Sequence, residues 1–123
     1  MSRLFVVEDE YFIALVIEVT MINSGHEVIG VFACGEDAVA AADSMTPDLV
    51  LMDIRLAGVM SGIEAAIELK RRGIPCVFAS AHSDAATRNL ALRAQPLGWI
   101  TKPFAQGELV SAVTAALHGI GAG

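Results

Sequence analysis

Five short apolar runs punctuate the chain, at residues 4–7, 28–32, 49–52, 76–79 and 97–100. Each has the length of a strand, and several are nearly unbroken in Val, Ile, Leu and Phe, as strands covered on both faces are. The segments between them have helical length and end on recognisable stops. Gly25 follows the first, and Gly73 follows the basic turn Lys70-Arg71-Arg72 with Pro75 just beyond, a glycine cap after a favourably charged last turn. Ser61 and Glu64 have the spacing of a capping box opening the third helix. Ser83 or Asp84 would cap the fourth, and the fifth is expected over 105–118. Strands alternating with helices predict an α/β domain, a doubly wound five-stranded parallel sheet with five helices and right-handed crossovers. The domain is expected over residues 1–118, leaving 119–123 as a short flexible tail.

The first helical segment departs from a simple amphipathic pattern. At about 100° per residue, Phe12, Leu15, Val16, Val19 and Ile22 form one stripe, which is expected to face the sheet. Ile13, Ile17 and Met21 then fall on the far side, where a surface helix is normally polar. A second apolar face predicts a partner surface there, with self-association into a homodimer as the rival use.

Composition narrows the function classes. With 123 residues, 54% hydrophobic and 18% charged, the chain has one domain's worth of core and is not disordered. A net charge of −6 leaves nothing to neutralise a phosphate backbone, so direct nucleic-acid binding is not expected. Cys34 and Cys76 make neither a metal site nor a disulfide framework, and Cys76 reads as a small buried residue. No targeting segment or membrane span is legible, and a cytoplasmic location is expected.

Ligands of open parallel sheets bind outside the carboxyl ends of the strands. Here the first strand ends at Glu8-Asp9-Glu10, the third at Asp53, the fourth at Ser80 and the fifth at Thr101-Lys102. Any one of these alone reads as a polar residue leaving the core; together they bring carboxylates, a hydroxyl and an ammonium to one edge. Glu8, Asp9 and Asp53 crowded together would raise one another's pKa unless a hard cation relieved the repulsion. Mg²⁺, with Mn²⁺ as a substitute, suits such a pocket because it leaves room for water and phosphate oxygens. One carboxylate can then attack phosphorus, with Lys102 and Ser80 placed to hold the phosphoryl oxygens. Glu10 reads as a rim residue more than as a third ligand.

Four stretches carry a family resemblance: Val7-Glu8-Asp9-Glu10, Leu51-Met52-Asp53-Ile54, Ala79-Ser80-Ala81-His82 and Gly98-Trp99-Ile100-Thr101-Lys102-Pro103-Phe104. In this order and spacing the chain resembles the bacterial two-component response-regulator receivers, single-domain forms included, along essentially its whole length. The resemblance implies the flavodoxin-like receiver fold, a phosphoacceptor at Asp53, and Mg²⁺ bound by Asp9, Asp53 and the Arg55 carbonyl, with Glu8 acting through water. It also implies phosphoryl contacts from Ser80 and Lys102, a cis Lys102–Pro103 bond, a switch pair in Ser80 and Trp99, and tuning positions at Glu10, Arg55 and His82. For His82 the bland alternative is an exposed loop histidine. The implied partners are a histidine kinase or histidine phosphotransfer protein upstream and a target protein downstream. Relatives usually carry Pro where Ala57 stands and reach the following glycine one residue sooner, so the loop after Asp53 departs from the pattern.

Two other functions share parts of this chemistry. A phosphatase of the haloacid-dehalogenase class also uses a strand-end Asp, Mg²⁺ and Lys, but needs a second acid two residues on, where this chain has Arg55. A degenerate receiver that only binds proteins would have no use for Asp9, Asp53, Ser80 and Lys102 together. The expectation is therefore a phosphoacceptor signalling protein that promotes its own phosphorylation and dephosphorylation, not an enzyme acting on a separate substrate.

Overall fold

The computed structural model describes residues 2–121. Its elements are β1 (Arg3–Val7), α1 (Tyr11–Asn23), β2 (Glu27–Phe32), α2 (Gly35–Ala42), β3 (Leu49–Met52), α3 (Gly62–Arg71), β4 (Cys76–Ser80), α4 (Ala85–Ala91), a 3-10 turn (Leu92–Ala94), β5 (Gly98–Thr101) and α5 (Gln106–Gly121). All strand pairs are parallel and the order is β2-β1-β3-β4-β5, so the chain reverses direction of winding between β1 and β3. That switch point is where an open α/β sheet opens a crevice.

Side-chain alternation splits the strands between two cores. Phe5, Val7, Val50, Met52 and Phe78 point to the layer of α2 and α3, against Ala38, Ala65, Ala66 and Leu69. Leu4, Val6, Leu49, Leu51, Val77 and Ile100 point the other way, against Ile17, Met21, Leu109 and Val113 of α1 and α5. Burial on both faces explains why these strands are continuous apolar runs. Cys76 lies within the first core, and burial pushes its thiol up to about 12.

The stops behave as expected. The Ser61–Glu64 capping box is formed in both directions, Asp84 caps α4, and Gly25 and Gly73 follow α1 and α3 with positive φ. Two expectations need correction. Helix α5 runs to Gly121 and so takes up most of the segment expected as a tail; Ala122 and Gly123 lie outside the described residues. Ile120 lines a groove with Ile74, Pro75 and Leu97, which gives the last turn something apolar to lie against.

The second correction is the orientation of α1, which is the reverse of the one expected. Ile17 and Met21 are 2% and 0% exposed, in the core, and Ile13 packs against them. The open face is Tyr11, Phe12, Leu15, Val16, Val19 and Ile22, with Phe12 at 77%. Periodicity yields two apolar stripes on this helix without saying which is inside. The buried stripe is the one that also carries Ala14 and Thr20, small side chains that let the helix approach the sheet. The Thr20 hydroxyl is satisfied locally, donating to the Val16 carbonyl at 2.7 Å, so burying it leaves no polar group unpaired.

Candidate functional site

Four strands deliver their terminal residues to one edge. Main-chain bonds fix the positions: Glu8 N–H donates to Phe32 O at 2.9 Å, Asp53 N–H to Val7 O at 3.0 Å, and Lys102 N–H to Ser80 O at 3.0 Å. Carboxylate oxygens of Glu8, Asp9 and Asp53 all lie within 4.8 Å of one another, the first and third buried and Asp9 exposed. The Lys102 ammonium donates to Glu8 Oε1 and, at 3.1 Å, to Asp53 Oδ2. The Lys102–Pro103 peptide is cis.

The electrostatics follow from burial. Burial pushes the Glu8 carboxyl up to about 7, against the Lys102 hydrogen bond and the Glu10 N–H that donates to its other oxygen at 3.1 Å. Burial also works against the charge on Lys102, but the bond to Glu8 and the charges of Asp53 and Glu8 outweigh it and hold the ammonium above its ordinary value. One cation thus serves two buried carboxylates with a third close by. Such a donor set fits a small hard divalent ion, for which oxygen ligands and retained water are the rule. The Asp53 side chain is oriented for this, since Oδ1 accepts the Ile54 N–H at 2.8 Å.

The remaining predicted residues fall around this centre. Ser80 is fully buried at the end of β4, and its Oγ accepts the His82 N–H at 3.1 Å, which leaves the hydroxyl hydrogen free to donate elsewhere. His82 is half-buried, with a ring Nδ1 shielded from solvent and unpaired among the described residues. Glu10 and Arg55 have exposed side chains at the rim. Trp99 does not touch the acidic centre. It pairs across the sheet with Phe78, ring centroids 5.4 Å apart, while the Arg88 guanidinium lies 4.8 Å from its own ring centroid. Of the expected surface stripe, Ile17 and Met21 are buried and Ile13 is half-buried against the core; the open face of α1 beside the site belongs to Phe12, Leu15, Val16, Val19 and Ile22.

Two residues of this region escape a reading of the sequence. Gly62 opens α3 directly on the acceptor strand: its N–H donates to Ile54 O at 2.7 Å, and a Cβ there would lie 1.7 Å from the Asp53 carbonyl oxygen. Glu36, at the start of α2, accepts N–H groups from Val59 and Met60 in the loop after Asp53. Neither has a local signal, because each acts on a partner distant in sequence.

Residues 4–114 match the family model described as the response regulator receiver domain. The transcriptional regulatory protein PdtaR of Mycobacterium tuberculosis is 33% identical over 94% of this chain and 56% of its own length. The phyllosphere-induced regulator PhyR of Methylorubrum extorquens is also 33% identical, over 94% of this chain and 43% of its own. The chain thus spans about half the length of these curated relatives. Among solved structures, the signal receiver domain of a modulated diguanylate cyclase from Desulfovibrio desulfuricans G20 superposes with a TM-score of 0.90 at 32% identity, covering 97% of this chain and 95% of that one. The strand-end carboxylates, the lysine that bridges them and the matched length lead to one conclusion: the chain belongs to the family of response regulator receiver domains.

Proposed function

We propose that the domain accepts a phosphoryl group on Asp53 from a phosphohistidine donor, with Mg²⁺ held at the acidic centre. The observation that carries this is the bridge from Lys102 to Glu8 and Asp53 beside a third carboxylate, all within reach of one ion. An Asp53 oxygen attacks phosphorus as the P–N bond to the donor breaks, and the bonding pair returns to the imidazole nitrogen. Lys102 moves one of its donor hydrogens to a phosphoryl oxygen, and the Ser80 hydroxyl takes another. Asp9, Asp53 and the Arg55 carbonyl would hold the ion, Glu8 acting through water; bound there, it would offset charge on the phosphoryl oxygens and let the carboxylates stay ionised. Water attacking the same phosphorus later returns Asp53, with Glu10, Arg55 and His82 lining the approach and setting its rate.

The donor is a histidine kinase or histidine phosphotransfer protein, and its helices dock on the open apolar face of α1 next to the site. The output is a surface change read by a target protein: the Ser80 hydroxyl moves toward the phosphoryl group, and Trp99 and α4 resettle. A change in Trp99 emission on adding Mg²⁺ and beryllofluoride, lost in Ser80→Ala, is the expected mark of that coupling; a flat signal at full occupancy would remove Trp99 from the switch. No described helix is long and apolar enough to cross a membrane, and a cytoplasmic location suits a partner of kinases. The test of the acceptor is direct. Acetyl phosphate with Mg²⁺ should add one phosphoryl group, and Asp53→Asn should abolish it; stoichiometric labelling of that variant would overturn the assignment.

A further inference from the structure

Glu36 stands at the first turn of α2 and reaches across to the loop between β3 and α3. Its Oε2 accepts the Val59 N–H at 3.1 Å and its Oε1 the Met60 N–H at 3.4 Å. Gly58, just before them, has φ +86°, and a Cβ there would sit 2.6 Å from the same carboxylate. A main-chain bridge between Cys34 and Ala57 adds a further tie between the two segments. Four consecutive loop residues, 57–60, are therefore fitted to the entry of α2. At the far end Gly62 seats the loop on the Asp53 carbonyl. Between Asp53 and this strap lies Arg55, in a loop that has Ala57 where a proline would stiffen it. A carboxylate that accepts two main-chain N–H groups, here at 3.1 and 3.4 Å, restrains the loop at two successive residues.

We propose that Glu36 is a positioning residue for the acceptor site: it holds the main chain of loop 54–61 in the arrangement from which a backbone carbonyl can serve a divalent cation beside Asp53. The inference rests on the metal-dependent phosphoacceptor reading above. Glu36 itself touches neither Asp53 nor the acidic centre and acts through the loop.

The full chain, Glu36→Ala and Glu36→Gln are titrated with Mg²⁺ by calorimetry, labelled with acetyl phosphate over a range of Mg²⁺, and followed by amide hydrogen exchange. Glu36→Ala should weaken Mg²⁺ binding about tenfold, the usual cost of losing a group that orients a ligand, and should speed exchange of the Val59 and Met60 amides. Its labelling rate should return to that of the unaltered chain at saturating Mg²⁺, and Glu36→Gln, with one acceptor oxygen left, should fall between. Unchanged Mg²⁺ affinity in Glu36→Ala despite faster exchange overturns the proposal, as does a labelling defect that Mg²⁺ does not repair. If Glu36→Ala does not fold, Glu36→Gln is judged by the same criteria. If the unaltered chain binds Mg²⁺ but is not labelled, the phosphoacceptor reading falls while the titration still decides the role of Glu36. If it binds no Mg²⁺, both fall.

Discussion

Helices α1 and α3 enter the same site from opposite faces of the sheet, and they are built on different terms. Helix α3 has a complete capping box, Glu64 in its first turn, Lys70 and Arg71 in its last, and one buried stripe of Ala65, Ala66 and Leu69. Every part of it is accounted for by folding. Helix α1 has no side-chain cap and no helpful charge at either end. It is apolar on nearly every side, and six large side chains of its outer face remain in water, Tyr11 and Phe12 stacked edge to face with centroids 5.5 Å apart. Folding does not need that face, and leaving it exposed runs against the hydrophobic effect. The contrast supports the docking face proposed above: the outer apolar face of α1 lies beyond what folding uses.

The strongest way to break this comparison is to exchange the roles of the two stripes of α1. Ile17→Glu would bury an unpaired charge among Leu4, Leu51 and Val113 and should cost on the order of 3–5 kcal/mol in urea unfolding. A loss below about 1 kcal/mol would return Ile17 to the surface. At the start of α3, Gly62→Ala should cost roughly 2–4 kcal/mol, because the new Cβ would have to displace the helix end from the Asp53 carbonyl. Acetyl phosphate labelling should fall with it, and a fully stable, fully labelled Gly62→Ala would show that the close contact is dispensable.

The two sides of the site also differ in acidity, which gives a third test. Glu8, on the α1 side, is raised by burial to about 7 from 4.5. Between those values the native metal-free domain holds a proton that the unfolded chain has released, so its stability should increase as pH falls through 7 and level off near 4.5. Mg²⁺ competes with that proton, so its affinity should move the other way, falling about tenfold per unit below pH 7. Thermal unfolding and calorimetric titration across pH 5–8 separate the two trends, and parallel trends would mean Glu8 is not the titrating group. On the opposite side, the Val59 N–H, then the main-chain N–H of Glu36 itself and, least, that of Met60 lower the Glu36 carboxyl below its ordinary value, and it stays charged throughout. The smallest expected effect is the most specific. Val16→Glu on the open face of α1 should leave stability within about 0.5 kcal/mol and labelling by acetyl phosphate unchanged. Transfer from a phosphohistidine partner should slow about tenfold, or some 1.4 kcal/mol. Equal loss with both donors would mean that α1 is damaged, not that a partner is repelled.

Much of this was legible in the chain because strand ends are. A strand buried on both faces is an apolar run, and the first polar residue after it must emerge at the sheet edge; Glu8, Asp53 and Ser80 follow that rule, and Lys102 comes one residue later, after Thr101. The capping residues of α3 and α4 were legible because their partners are three positions away. The phase of α1 was not, because apolar periodicity on both sides cancels as a signal and small residues such as Ala14 and Thr20 decide which side fits the sheet. Gly62 and Glu36 were hidden for another reason. One matters through a side chain it lacks, the other through amides 23 and 24 positions away.

The single ammonium shared by Glu8 and Asp53 has a consequence for how a signal leaves the domain. Above pH 7, where Glu8 is ionised, Lys102 offsets one of the three carboxylates and two negative charges stand uncompensated at the crevice. A dication would cancel them, and an acyl phosphate of nearly two negative charges in place of the Asp53 carboxylate would then restore about one. From resting to activated, the crevice would thus change by about a single charge, a field that salt at cellular strength damps within about 8 Å. A reader docked farther away than that would be almost blind to the charge itself. It would have to sense contour, the shifted seat of a helix or a ring, and its preference for the activated form should survive high salt.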